Sequence, residues 1–253
     1  MKIVTFNLRC AWRGDDINAF PNRGGMILEK LAEEKPDIVC FQEGTERNIA
    51  FLRRALPEYD IVFNQRDADY SGEGLATALR RERVTLCRLN FFWLSETPEV
   101  PGSRFPEQSN CPRICQSLLV RTAEGKLLRV YNNHLDHASD SARILGIHCL
   151  LEHIEQDNKT NDFPFFILGD FNALPDSETI RYCNTCQSVP ITDLTAGCGG
   201  TYHDFGREEP SKIDYIYADR QMAGRPYTAA VWEDQMNGVY LSDHYPVAVE
   251  IDL

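Results

Sequence analysis

The stretch FFILGDFNALPDS, residues 165–177, runs from consecutive apolar residues straight into Asp170 and Asn172. A core strand rarely ends in two strongly polar side chains unless they turn the chain or hold something. An Asx turn bent further by Pro175 is one reading. A calcium loop is not another: counted from Asp170, the fifth, sixth and twelfth places hold Leu174, Pro175 and Arg181. Such a loop needs Gly at the sixth and a chelating Glu at the twelfth.

The same break recurs along the chain. Asn7 follows IVTF, Glu43 follows DIVCFQ, His134 follows RVYNN, Asp214 follows KI, and Asp243 with His244 precedes YPVAVEI. If these strand ends share one edge, the side chains converge with Asp170 and Asn172 on a single cleft. Glu43, Asp170, Asp214 and Asp243 would repel one another there unless a cation sat among them. An oxygen-rich set with few imidazoles suits Mg²⁺ or Mn²⁺ better than Zn²⁺.

Around these points apolar strand patterns alternate with helical ones. Strands are expected at 2–6, 37–43, 60–63, 74–81, 90–95, 113–122, 126–135, 165–170, 212–219 and 245–253. Helices are expected at 24–36, stopped by Pro36, at 45–56 after a Thr cap, and at 139–154 after a Ser or Asp cap. No low-complexity linker or charge block interrupts the 253 residues, so one domain over 1–253 is expected. Helices cluster with strands early and late and antiparallel pairs fill the middle, which points to mixed sheets.

Lys plus Arg number 26 against 38 Asp plus Glu, a net charge of −12. That disfavours non-specific binding to polyanions, although a bound cation reverses the field locally. MKIVTFN lacks the pattern of a secretory leader, and no apolar run is long enough to span a membrane, so a cytoplasmic protein is expected. Nine cysteines, an odd number, favour free thiols. CNTC at 183–186 has half-zinc-site spacing without a second pair, and the cysteines are expected to stand outside the functional set.

TFNLR (5–9), FQE (41–43), NNHLDH (132–137), LGDFNALPDS (168–177), KIDYIY (212–217) and LSDHYPV (241–247) occur in that order across nearly the whole chain. Together they resemble the endonuclease/exonuclease/phosphatase, DNase I-like superfamily of metal-dependent phosphoesterases, and FFWLSETPEVPGS (91–103) resembles an uncharacterised, largely bacterial subgroup. The resemblance implies an α/β (α+β) fold, a four-layer αββα sandwich with two mixed sheets face to face, helices outside and the active site at one rim. It implies hydrolysis of phosphoester bonds by in-line attack of water with Mg²⁺ or Mn²⁺. Glu43 resembles the principal metal ligand, with Asn7 beside it and Asp243 nearby. Asp170 resembles the residue that activates or orients water, and Asn172 one that also contacts phosphate. His244, oriented by Asp214, resembles a phosphate-stabilising histidine, and His134 its counterpart, with Glu73 in the place of a supporting carboxylate. Two imidazolium-type donors are expected on that basis.

Members of the superfamily cut DNA, RNA tails, sphingomyelin and phosphoinositides, so the fold leaves the substrate open. The net acidity leans toward a small phosphorylated metabolite or lipid headgroup handled by a monomer, with an endo- or exonuclease acting on DNA or RNA as the alternative. Arg113 is the favoured phosphate-gripping arginine over Arg80 and Arg143. Asp136 and His137 read equally as turn residues or site supports. Phe91, Phe92 and Trp93 could stack bases, though strand alternation buries at least one of them.

Overall fold

The computed structural model describes residues 1–10 and 14–253. Among the described residues fourteen strands form: β1 Lys2–Asn7, β2 Ile38–Gly44, β3 Tyr59–Gln65, β4 Gly74–Arg80, β5 Val84–Trp93, β6 Ile114–Thr122, β7 Leu127–His134, β8 Phe165–Asp170, β9 Ile191–Asp193, β10 Asp214–Asp219, β11 Tyr227–Val231, β12 Gln235–Met236, β13 Val239–Tyr240 and β14 Val247–Ile251. The helices are α1 Phe20–Glu34, α2 Glu46–Ala55, α3 Asp140–Thr160, α4 Glu178–Thr185 and the single turn α5 Arg220–Ala223. Caps set several helix starts: Thr45 accepts from the Asn48 amide, Ser139 from Ala142 and Ser177 from Ile180.

Two six-stranded sheets result, ordered β11-β14-β1-β2-β4-β3 and β5-β6-β7-β8-β10-β9. Each is mixed around one parallel pair, β1 with β2 and β7 with β8, and each pair is joined through a long helix, α1 or α3. Strand alternation then makes the layers. In β8, Phe166 and Leu168 enter the core shared with Ile3, Cys40, Val130 and Val249, while Phe165 and Ile167 join the cluster that contains α3 residues Ile147, Leu150 and Ile154. On the far side Val4, Phe6, Val39 and Phe41 cluster with Ile27 and Leu31 of α1 and Ile49 and Leu52 of α2. Strands buried on both faces read as continuous apolar runs, and each such side chain contributes about 1.5–3 kcal/mol of burial. The four-layer sandwich is as the sequence implied.

The differences are local. Helix α1 starts at Phe20 rather than 24, with Pro21 in its first turn, and β5 starts six residues before position 90. Helix α4 and strands β9 and β11 to β13 went unread, because short elements carry too few periods to show a pattern.

Candidate active site

One end of the sandwich gathers the polar strand ends. Asn7, His134 and Asp170 are the last residues of β1, β7 and β8, and Asp214 is the first of β10, paired in register with Asp170. Gly169 permits the close β7–β8 approach, since a Cβ there would lie 2.1 Å from the Asn133 carbonyl oxygen. Arg9, Glu43 and Asn172 all have left-handed backbone, φ +53°, +54° and +48°. Non-glycine residues held that way cluster at functional sites.

The contacts are dense. Asn7 Nδ2 donates to Glu43 Oε1 at 3.1 Å and Asp170 Oδ2 at 3.0 Å. The Cys10 amide donates to Glu43 Oε2 at 3.0 Å. His244 Nδ1 meets Asp214 Oδ2 at 2.9 Å, with its Nε2 3.8 Å from Asp170 Oδ2. His134 Nε2 lies 3.4 Å from the same Asp170 oxygen. The Asn172 amide donates to Asp170 Oδ1 at 2.8 Å, and its side-chain amide to Leu135 O at 3.1 Å. Of these groups Cys10, Glu43, His134, Asp170, Asn172 and His244 line a cleft of about 480 Å³, which also takes in Arg66, Glu73, Arg113, His137 and Tyr202; Asn7 and Asp214 contact these groups without lining it.

Burial opposes a charge on His244, yet Asp214 and then Asp170 push it up to about 10, so it is imidazolium at neutral pH. Asp170 is raised above the usual carboxylate range by burial and by the Asp214 charge beside it. Burial likewise works to raise Glu43, but the Cys10 amide, Asn7, His244 and Arg9 outweigh it and keep the carboxylate anionic. His134 goes the other way: burial, then the charges of Arg113 and Arg66, hold it well below its ordinary value. The pair of imidazolium donors is therefore one imidazolium, His244, and one neutral imidazole.

An endonuclease/exonuclease/phosphatase family model matches residues 4–244, a span that includes every one of these groups. The chain belongs to the endonuclease/exonuclease/phosphatase family. Solved structures agree. An endonuclease/exonuclease/phosphatase from Bacteroides vulgatus is 26% identical over all of this chain and 98% of that one, with a TM-score of 0.91. A functionally unknown conserved protein from Enterococcus faecalis V583 is 28% identical over 100% of this chain and 99% of that one, at 0.89. A mannosyl-6-phosphatase of Bacteroides thetaiotaomicron, 24% identical over the full length of both chains, shares the fold at 0.89. The family is one of divalent-metal-dependent phosphoester hydrolases.

The donor set fits a hard divalent cation. Carboxylate oxygens of Glu43 and Glu73 lie within 4.8 Å of each other, with the soft Cys10 thiol beside them, and those of Asp170 and Asp214 lie within 4.8 Å of each other, with the His244 imidazolium as a neighbour and not a ligand. Among the described residues Asp214 Oδ1 is buried without a hydrogen-bond partner. Two roles shift from expectation. Asn7 turns its amide nitrogen, not its oxygen, toward the carboxylates, so ligation through oxygen requires the amide to flip. Asp243 is already engaged, 3.3 Å from Arg9 Nη1 and accepting from Ser242 at 3.1 Å.

Other expectations are corrected. Glu73 pairs with Arg66 at 2.8 Å, not with His134. Cys10 and Cys111 line the cleft, although neither is among the carboxylate, amide and histidine groups named from the sequence. Asp136 is both turn residue and site support, accepting from the amides of Ala138 and Ser139 and lying 3.9 Å from Arg113 Nε, while His137 meets Arg113 Nη2 at 2.9 Å and lines the cleft. Arg80 bonds Lys35 O, and Arg143 bonds Asp136 O and pairs with Asp140. Trp93 is buried and donates to Arg66 O, Phe92 stacks on His153, and Phe91 packs on Trp93, so none lines the cleft. Arg9, Arg66 and Tyr202 went unread. Arg9 sits inside TFNLR and could have been found there; Arg66 and Tyr202 lie in loops without a pattern.

All nine cysteines are free; Cys183 is in the α3–α4 core and Cys186 contacts Ser188 at 3.3 Å. Reductant is accordingly expected to leave Tm unchanged, and metal analysis to find no stoichiometric zinc. One zinc per chain, lost in a Cys183→Ser/Cys186→Ser variant, would contradict this.

Proposed function

We propose that residues 1–253 form one monomeric, cytoplasmic Mg²⁺- or Mn²⁺-dependent hydrolase acting on phosphate esters of a small metabolite or lipid headgroup. The observation that carries the substrate class is a pair of guanidiniums. Arg113 is 4% exposed; its Nη2 meets His137 Nδ1 at 2.9 Å and its Nε lies 3.9 Å from Asp136 Oδ1, yet among the described residues Nε and Nη1 have no hydrogen-bond partner, and neither does Arg66 Nε. Both line the cleft beside neutral His134, and Arg66 also touches Glu73. Buried, unspent N–H donors of like charge converge where an anion belongs. A cleft of about 480 Å³ is of small-molecule size, and a net charge of −12 works against a long polyanion.

In this reading Glu43, with Asn7 and Asp243 close by, holds the cation, which offsets charge on the phosphoryl oxygens when bound. Asp170 orients the attacking water and takes its proton, its basicity raised by burial and Asp214. His244, fixed by Asp214, donates to the developing charge; His134 adds one neutral N–H, and Asn172 positions phosphate. Arg113 anchors the anion.

The test is a panel of phosphomonoesters, cyclic and linear diesters, and single- and double-stranded nucleic acids, each with Mg²⁺ and with Mn²⁺. Small esters are expected to be turned over best, and Arg113→Gln to raise their KM about tenfold, the scale of a charged hydrogen bond. Nucleic acid as the best substrate would reject the small-ester reading in favour of a nuclease.

A further inference from the structure

Glu43 does not reach the cleft by ordinary strand geometry. Between β2 and β4 the register slips from Phe41↔Ala76 to Gly44↔Gly74, so Gln42 and Glu43 together oppose Leu75 alone. This is a β-bulge, and Glu43 takes its left-handed backbone, φ +54°. A bulge disturbs a ladder, and the buried carbonyls around it need other partners.

They find them across the sandwich. Asn132 of β7 points its amide nitrogen at Ala76 O (3.0 Å) and Phe41 O (3.2 Å), the register pair just before the slip. Its neighbour in the β6–β7 register, Gln116, donates to Leu75 O at 2.9 Å, the residue opposite the bulge. Gln42 Nε2 returns a bond to Asn132 Oδ1 at 2.8 Å. Asn132, Gln116 and Gln42 are all fully buried, at 0% exposure. Buried polar side chains satisfied this completely specify one arrangement.

We infer that Asn132 is a positioning residue for the metal-binding carboxylate, its amide locking the β2 bulge that turns Glu43 into the cleft. It touches neither substrate nor cation. It also lies two residues before His134, so one amide ties the strand bearing Glu43 to the strand bearing His134. The inference rests on the assignment of Glu43 to the cation in the proposed function. Partners that orient a metal ligand typically change metal affinity or activity by about 10- to 100-fold when removed.

The probe is Mn²⁺ alone, its Kd read from the electron paramagnetic resonance signal of the free ion. Asn132→Ser is expected to weaken Mn²⁺ binding about tenfold, with kcat at saturating Mn²⁺ within about threefold of the unsubstituted enzyme. Tyr131→Phe, on the same strand but the opposite face, removes a 2.8 Å bond to Asp157. It is expected to lower Tm and leave the Kd unchanged, which separates positioning from general loosening. If Asn132→Ser does not fold, Gln42→Met cuts the 2.8 Å bond from the other side and is expected to weaken Mn²⁺ binding in the same direction. An unchanged Kd in the folded variant, or an equal loss in Tyr131→Phe, overturns the inference. Glu43→Gln in the same assay distinguishes the failures. If it loses Mn²⁺ while Asn132→Ser keeps it, only the positioning role falls; if it binds Mn²⁺ normally, the metal assignment and the positioning role fall together.

Discussion

Glu43→Gln is expected to lower kcat/KM by at least ~10²-fold, on the scale of removing a preorganised charge from a water-poor site, while Tm holds or rises. Glu43 is an anionic carboxylate kept so by the Cys10 amide, Asn7, His244 and Arg9 against burial. Replacing it with the isosteric amide keeps the shape and removes the charge that attracts a cation. It also relieves the repulsion that contributes to the raised pKa of Asp243. The loss is therefore expected in metal affinity and turnover, not in folding. Excess chelator should abolish activity of the unsubstituted enzyme, and Mg²⁺ or Mn²⁺ should restore it. Full turnover in chelator, or a Glu43→Gln variant as active as its parent, would remove the cation from the mechanism.

Asp170→Asn and His244→Ala are each expected to reduce kcat by at least ~10²-fold, the usual cost of an acid/base group or a donor to the developing charge. Their effects should not multiply. Asp170 Oδ2 lies 3.8 Å from His244 Nε2, and His244 Nδ1 bonds Asp214, the register partner of Asp170, so the two side chains form one unit. Removing Asp170 also withdraws part of the charge that keeps His244 protonated. A double variant should thus be little worse than the poorer single one, as in coupled catalytic sets. Single-turnover rates for the four proteins would decide this, and strict multiplicativity would place the two residues in separate steps.

Much of this molecule is legible in one dimension. Runs such as KIVTFN and FFILGD are strands because they can be buried on both faces, and their abrupt polar ends mark the rim where the sheets stop shielding them. Six ordered motifs carried the sandwich and the convergence of Asn7, Glu43, His134, Asp170, Asn172, Asp214, Asp243 and His244. What tertiary structure alone decided is which of these groups face one another and in what charge state. Glu73 pairs with Arg66, the residue just past β3, and burial beside Arg113 and Arg66 holds His134 well below its ordinary pKa. Cys10 entered the cleft because the chain turns at Arg9, and Glu43 because a bulge in β2 is held from the opposite sheet. The physical reason is common to all four. Strand patterns are local and repeat every two residues, whereas a pKa, an ion pair or a bulge depends on distances between segments far apart in the chain, which exist only once the two sheets have closed.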